Sequence, residues 1–457
     1  MNLRQPMRAI PMQSNDGVFA ANQIRPSYAW FVVFILFLLA VFSYTDRWVL
    51  TLLIDPIKQS LGINDVQISM LLGLAFALIY GVFGVFMGYV ADRSVRRTLI
   101  FYGIIIWSLA TIGCGLARDF QELFLARILV GVGEAVLTPA AVSLISDYFG
   151  PERRGSAVGA YLTGIPLGGG IAVMLGGLVL GSVEHGLLRP VVEWAGQPWR
   201  AVLLILGVPG LAIAPIVFLI KEPKRTDDAT ASHNPLPPAI PLRASVAILL
   251  RAAPIFLGVA GIALAEAAVV SWSPTILIRE FNLPPDRVGL WIGLSFAIGG
   301  TAGVLMGGFL GDWAKHRGGK SARLYICLLG AALTLPCAAY GVTASIALAL
   351  IGVGFYRFFS DWTTSCGIAA VLDQVPNRLR GLATSVTFFL NVSLGVGLGP
   401  TLVALVSERH PAGIRTIGAS IVIVALPVLT AVIALFAMTA IVRRGGSIKS
   451  AVPAEKT

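Results

Sequence analysis

Gly88-Tyr89-Val90-Ala91-Asp92-Arg93-Ser94-Val95-Arg96-Arg97 closes a long apolar run, and it is met again in weaker form 220 residues later. There it reads Gly308-Phe309-Leu310-Gly311-Asp312, followed by Lys315 and Arg317. A second pair of stretches repeats at an offset of 226. Asp147 precedes Pro151-Glu152-Arg153-Arg154-Gly155, and Asp373 precedes Pro376-Asn377-Arg378-Leu379-Arg380-Gly381. Two independent matches at nearly one offset are the mark of an internal duplication.

Outward from these motifs the chain is a series of apolar runs. A helix that crosses a membrane needs ~20 mostly apolar residues. Twelve such runs lie near 28–54, 67–90, 98–117, 123–146, 155–183 and 199–220, then 253–277, 286–311, 323–342, 344–372, 381–407 and 414–442. The predicted fold is therefore an all-α membrane protein of twelve transmembrane helices in two pseudo-symmetric six-helix bundles. The expected division is a segment 1–27, a first bundle 28–220, a linker 221–251, a second bundle 252–442 and a tail 443–457. The linker is the longest polar break, and it contains Lys-Glu-Pro-Lys-Arg-Thr-Asp-Asp from Lys221.

Composition excludes a soluble enzyme. Mean hydropathy is +0.82 and only 12% of residues are charged, against about 25% in soluble domains. The net charge of +11 does not point to nucleic acid, because the basic residues fall in short clusters between apolar runs. If both termini are cytoplasmic, the cytoplasmic segments hold 23 of the 34 Lys and Arg, the outer loops 8 and the spans 3. That bias is the positive-inside signature. Residues 1–27 lack the short apolar core of a signal peptide. The four cysteines form no metal-binding spacing, so no metal and no cofactor is expected. Gly319-Lys320-Ser321 imitates the end of a phosphate loop, but position 314 is Ala and no strand precedes it.

The stretch 88–97 resembles the cytoplasmic signature of the major facilitator superfamily, roughly GxxxDRxxRR, and the similarity extends over nearly the whole chain. Several details are similar to the Spinster-like branch: Asp46-Arg47, the run Arg127-Ile128-Leu129-Val130-Gly131-Val132-Gly133-Glu134-Ala135, and Gly164-Ile165-Pro166-Leu167-Gly168. The resemblance implies a secondary transporter with lysolipid- or sphingolipid-type cargo. The Arg127–Ala135 pattern is also similar to that of organic-anion symporters. The glycine-proline pair usual in the fifth helix of drug/proton antiporters is absent, since Ile165 precedes Pro166. Within the signature, Gly88 is expected to allow close helix packing. Asp92 is expected to pair with an arginine of a neighbouring loop. Gly88, Asp92, Arg93, Arg96, Arg97, Asp147, Arg153, Arg154 and Asp312 make up the candidate conformational gate.

Ionisable residues inside the spans are costly in hydrocarbon and therefore informative. There are four acids, Asp46, Glu134, Glu266 and Asp361, and three bases, Arg47, Arg127 and Arg357. If every base pairs, one acid remains, and an unpaired carboxyl in an apolar medium can take up and release a proton near neutral pH. Arg127, Gly131 and Glu134 recur at i, i+4 and i+7 and so share one helix face. Asp46 and Glu134 are expected to compete for Arg127, and Glu266 has no partner nearby in sequence. Asp46, Glu134 and Glu266 are thus the proton-coupling candidates. Arg47, Arg127, Arg357, Asp361, Tyr356, Trp272 and Asn391 are the substrate-binding candidates, with arginine suited to carboxylate or phosphate through its planar fork.

The expected activity is proton-coupled transport of an amphipathic or lipid-like organic solute by alternating access. The alternative is proton symport of a small organic anion such as a sugar acid. Expected partners are the small-molecule or lysolipid substrate, protons and membrane lipids, with no nucleic acid, for a monomer in a bacterial inner membrane.

Overall fold

Proline and short polar side chains start the helices here. Pro26 and Pro198 occupy first turns, where a missing N–H costs nothing. Asn64 and Gln67 form a reciprocal capping box, and Asp119 accepts from the Glu122 N–H at 2.8 Å. Between such caps the backbone must satisfy itself, because hydrocarbon supplies no partners. The computed structural model describes residues 25–91, 93–182, 189–223, 241–319, 321–376, 379–409 and 416–451.

Among the described residues twelve long helices follow in order: α1 Pro26–Thr51, α2 Asp65–Ala91, α3 Arg96–Leu116, α4 Phe120–Tyr148, α5 Arg153–Gly181, α6 Pro198–Leu219, α7 Arg243–Arg279, α8 Pro285–Gly318, α9 Ala322–Val342, α10 Ile346–Gln374, α11 Arg380–Arg409 and α12 Ile417–Val442. Eleven are apolar enough as well as long enough to cross a membrane. The exception, α10, has 29 residues but carries Arg357 and Asp361, both buried inside the bundle. The run read as 28–54 ends sooner than its sequence suggests: a separate helix, Ile54–Leu61, follows α1.

Helices α2, α5, α8 and α11 meet between the halves, and each is interrupted. In α2 the break falls at Gly73 and in α5 at Thr163. In α8 and α11 it is a π-helical turn, Ser295–Gly300 and Asn391–Val396, a feature frequent at functional sites.

The seam between halves is tight at one face only. A Cβ added at Gly170 would lie 2.5 Å from the Gly293 carbonyl oxygen, and one at Gly177 would lie 2.8 Å from the Gly289 Cα. Charged groups bridge the halves there. Arg279 binds Asp55 at 2.9 Å and reaches Asp65, and Glu408 accepts from the Val66 N–H at 3.4 Å. Toward the face that carries Arg93, Arg153 and Arg380 the seam is open. Cβ atoms added at Gly84, Gly88, Gly155, Gly159 and Gly381 would meet nothing within 4 Å. The expectation that Gly88 lets two helices pack closely is therefore corrected: in this state it faces space.

Candidate functional site: a charged cluster above an apolar cavity

Consecutive residues on a helix point about 100° apart, so Asp46 and Arg47 leave α1 toward different neighbours. Asp46 turns to α3 and accepts from the Thr111 hydroxyl. Arg47 turns to α2 and α4, where its Nη2 binds Glu134 Oε2 at 2.6 Å and its Nε at 3.2 Å. The rings of Tyr44, Phe76 and Tyr80 surround the Arg47 guanidinium at 4.4, 4.2 and 4.6 Å, a cation–π box in a dry site. This arrangement differs from the expected one. Arg47, not Arg127, takes Glu134, because Arg47 reaches α4 from a helix already packed beside it.

Arg127 is left with unused donors. It is 1% exposed, and its Nε and Nη2 have no hydrogen-bond partner, like Asp46 Oδ1 and Glu134 Oε1. Asp46 lies within electrostatic reach of Arg127, Arg47 and Glu134. A buried guanidinium without full pairing is expensive.

Below the cluster lies a cavity of about 220 Å³ bounded by α2, α4 and α11. Tyr80, Gly84, Ala135, Pro139, Phe388 and Phe389 are among its lining residues, with Thr138, Thr384 and Ser385 as the hydroxyl groups beside Tyr80. Tyr80 belongs both to this wall and to the box around Arg47, and Ala135 directly follows Glu134. The charged cluster thus adjoins, through Tyr80 and Ala135, a space whose wall is mostly apolar.

The second half holds its own cluster. Arg357 of α10 binds Glu266 of α7, which also accepts from the Ser360 hydroxyl at 2.8 Å. Glu266, which has no partner nearby in sequence, finds two in space. Arg357 Nε lies 2.9 Å from Asp361 Oδ2, yet neither atom makes an aligned hydrogen bond. Two acids here share one base, whereas the first half has two of each. Tyr356 is fully buried with its hydroxyl unpartnered. Trp272 donates its indole N–H to the Pro400 carbonyl at 3.0 Å, which places it in the α7–α11 packing and away from the cavity wall. Asn391 begins the π-turn of α11 with its Oδ1 buried and unpartnered.

At the basic face the gate candidates form two separate networks. Arg96 binds Asp147 and, at 2.7 Å, Glu222. Arg97 donates its backbone N–H to Glu222 at 3.2 Å. Arg93 stacks on Tyr89 at 3.6 Å, Arg154 donates to the Ser146 carbonyl at 2.9 Å, and Arg153 is exposed. Asp92 lies outside the described residues. Its counterpart Asp312 binds Arg323, which also holds Asp373 at 2.7 Å. Glu222, Arg323 and Asp373 were not among the sequence candidates. The offset of 226 points from Asp147 to Asp373, but Arg323 stands 227 residues after Arg96. The 220 offset of the glycine-aspartate motif therefore misses it, the second loop being longer.

Residues 36–400 match the family described as the Major Facilitator Superfamily. The chain is 27% identical over 395 residues to an "MFS-type efflux pump" of Mycolicibacterium smegmatis, covering 85% of this chain and 86% of that one. It is 28% identical over 424 residues to "Protein spinster homolog 1" of Homo sapiens, covering 86% and 76%. A bacterial homologue of the human lysosomal transporter Spinster, solved inward-facing and unoccupied, superposes with a TM-score of 0.71 at 23% identity, covering 91% of this chain and 96% of that one.

Proposed function

The chain belongs to the major facilitator superfamily and is a multi-pass membrane transporter; from that premise we propose that it carries an amphipathic, lipid-like organic solute in exchange for, or together with, protons. One observation carries the reading: the cavity wall, drawn from three helices, is mostly apolar, and at Tyr80 and Ala135 it abuts buried charge. A solute with a hydrocarbon part and an anionic head matches that division. Arg127 would receive the head through its unused donors, while Asp46, within electrostatic reach of Arg127, and Glu134, held by Arg47, would take up or release the coupled proton. The face bearing Arg93, Arg96 and Arg153 would be cytoplasmic by the positive-inside bias. That makes the described state open to the cytoplasm, in a plasma membrane of bacterial type.

The full chain in liposomes tests this, with internal pH recorded while lysophospholipids, sphingoid bases and sugar acids are added in turn. A proton flux driven by a lysophospholipid or sphingoid base, and reduced at least tenfold in Arg127→Ala and Glu134→Gln, is the expected result. Flux with sugar acids alone would support the second reading, a small-anion symporter, which Arg127's free donors also favour. Cargo movement without proton flux would remove proton coupling.

A further inference from the structure

The charge balance of the second half is the observation least explained by the reading above. Among the described residues, Glu266 and Asp361 face one base, Arg357. Glu266 is satisfied by Arg357 and Ser360, so the excess falls on Asp361. Its Oδ2 and the opposing Arg357 Nε lie 2.9 Å apart but are misaligned, and both are buried without a hydrogen bond. Arg357 is 6% exposed and Asp361 8%. The unpartnered Tyr356 hydroxyl lies within electrostatic reach of Glu266 and Arg357, and Tyr44 of α1 within reach of Arg357. A buried net negative charge of this kind calls for a proton or another small cation.

Position gives the cluster a mechanical connection. Asp361 is ~22 Å along α10 from Ile346 at 1.5 Å per residue, close to mid-membrane. A Cβ added at Gly300 would lie 2.9 Å from Asp361 Oδ2, 3.3 Å from Arg357 Nε and 2.8 Å from Pro166 Cβ. Gly300 ends the π-turn of α8, and Pro166 belongs to α5 in the other half. Asp361 therefore lies close behind a point where the halves touch, with Gly300 between it and Pro166. Separation of α5 from α8 would uncover it, and their contact seals it.

We infer that Glu266, Arg357 and Asp361 form a second proton-binding site, with Asp361 the carboxyl that takes the proton, separate from the Asp46–Glu134 cluster and loaded or emptied as the α5–α8 seam parts. The inference rests on the proton-coupled reading for its role in transport, but proton binding itself is measurable without cargo. Glu266, Arg357, Tyr356 and Tyr44 are the titratable groups facing Asp361 and its partners, while α5 and α8 present Pro166 and Gly300.

Infrared titration of the full chain in lipid bilayers reads the site directly. A carboxylic-acid C=O band that titrates in the wild type should be absent in Asp361→Asn, present but displaced in Asp361→Glu, and unchanged in Glu134→Gln. No band lost in Asp361→Asn, or a band abolished by sodium at fixed pH, would overturn the proposal, the latter in favour of a metal-cation site. In liposomes with a radiolabelled lysophospholipid, at zero membrane potential, a tenfold proton gradient sustains about a hundredfold cargo gradient with two protons and about tenfold with one. Asp361→Asn should lower the first value to the second. If the band behaves as expected and no lysophospholipid moves, the cargo reading fails and the proton site stands.

Discussion

At the face that carries Asp55 and Arg279, charged side chains reach from one half to the other. At the basic face, each charged network closes within its own half. Arg279 joins α7 to Asp55 and Asp65. By contrast, Arg96 serves Asp147 and Glu222 in the first half, and Arg323 serves Asp312 and Asp373 in the second. Glycine follows the same division: Gly170 and Gly177 of α5 press on α8, while Gly155 and Gly159 of the same helix face space. One face thus owes its closure to contacts between halves, and at the other the charged contacts hold each half together without joining the two. Rocking about a central site requires such a difference, and the interrupted α2, α5, α8 and α11 lie where bending would be absorbed.

The strongest way to break the comparison is Arg323→Ala. It takes from Asp373, 9% exposed, one of two partners at 2.7 Å, Lys315 being the other, and a hydrogen bond to a charged group contributes about 1.5–3 kcal/mol. Thermal unfolding should show the loss, with labelling of Thr401→Cys, whose native hydroxyl lies 3.4 Å from that of Ser69 across the α2–α11 seam, unchanged. Gly170→Leu comes next. Overpacking the closed seam costs about 1–3 kcal/mol, which favours the other state by roughly 5- to 150-fold, read as faster labelling of the Thr401 cysteine. Arg279→Ala removes partly exposed pairs worth about 1 kcal/mol together, so labelling should rise several-fold with little change in unfolding temperature. Gly159→Leu should leave the described state within about 0.5 kcal/mol. If it instead speeds labelling at Thr401 as much as Gly170→Leu does, the two faces do not differ as argued.

The repeat of Gly88–Asp92 in Gly308–Asp312, and of Asp147 in Asp373, was legible because charge is rare enough in this chain for each occurrence to stand out. The same rarity exposed Asp46, Glu134, Glu266 and Asp361. Pairing was another matter. Sequence spacing put Arg127 and Glu134 on one face of α4, and that held no information about Arg47 arriving from α1. Glu266 looked solitary because Arg357 is 91 residues away. Arg323 was hidden by a seven-residue difference between offsets, and Trp272 looked like a cavity residue until α11 supplied its acceptor.

Hydropathy by itself determined that the chain is a helical membrane protein, since continuous apolar runs of about 20 residues fit spanning helices and not the shorter, alternating strands of a barrel. Duplicated charge motifs determined that it has two related halves. Tertiary structure decided which acid meets which base and which face is closed. Those outcomes depend on contacts between helices far apart in sequence, where a shift of one helix face exchanges one partner for another without altering the periodicity of either strip of sequence.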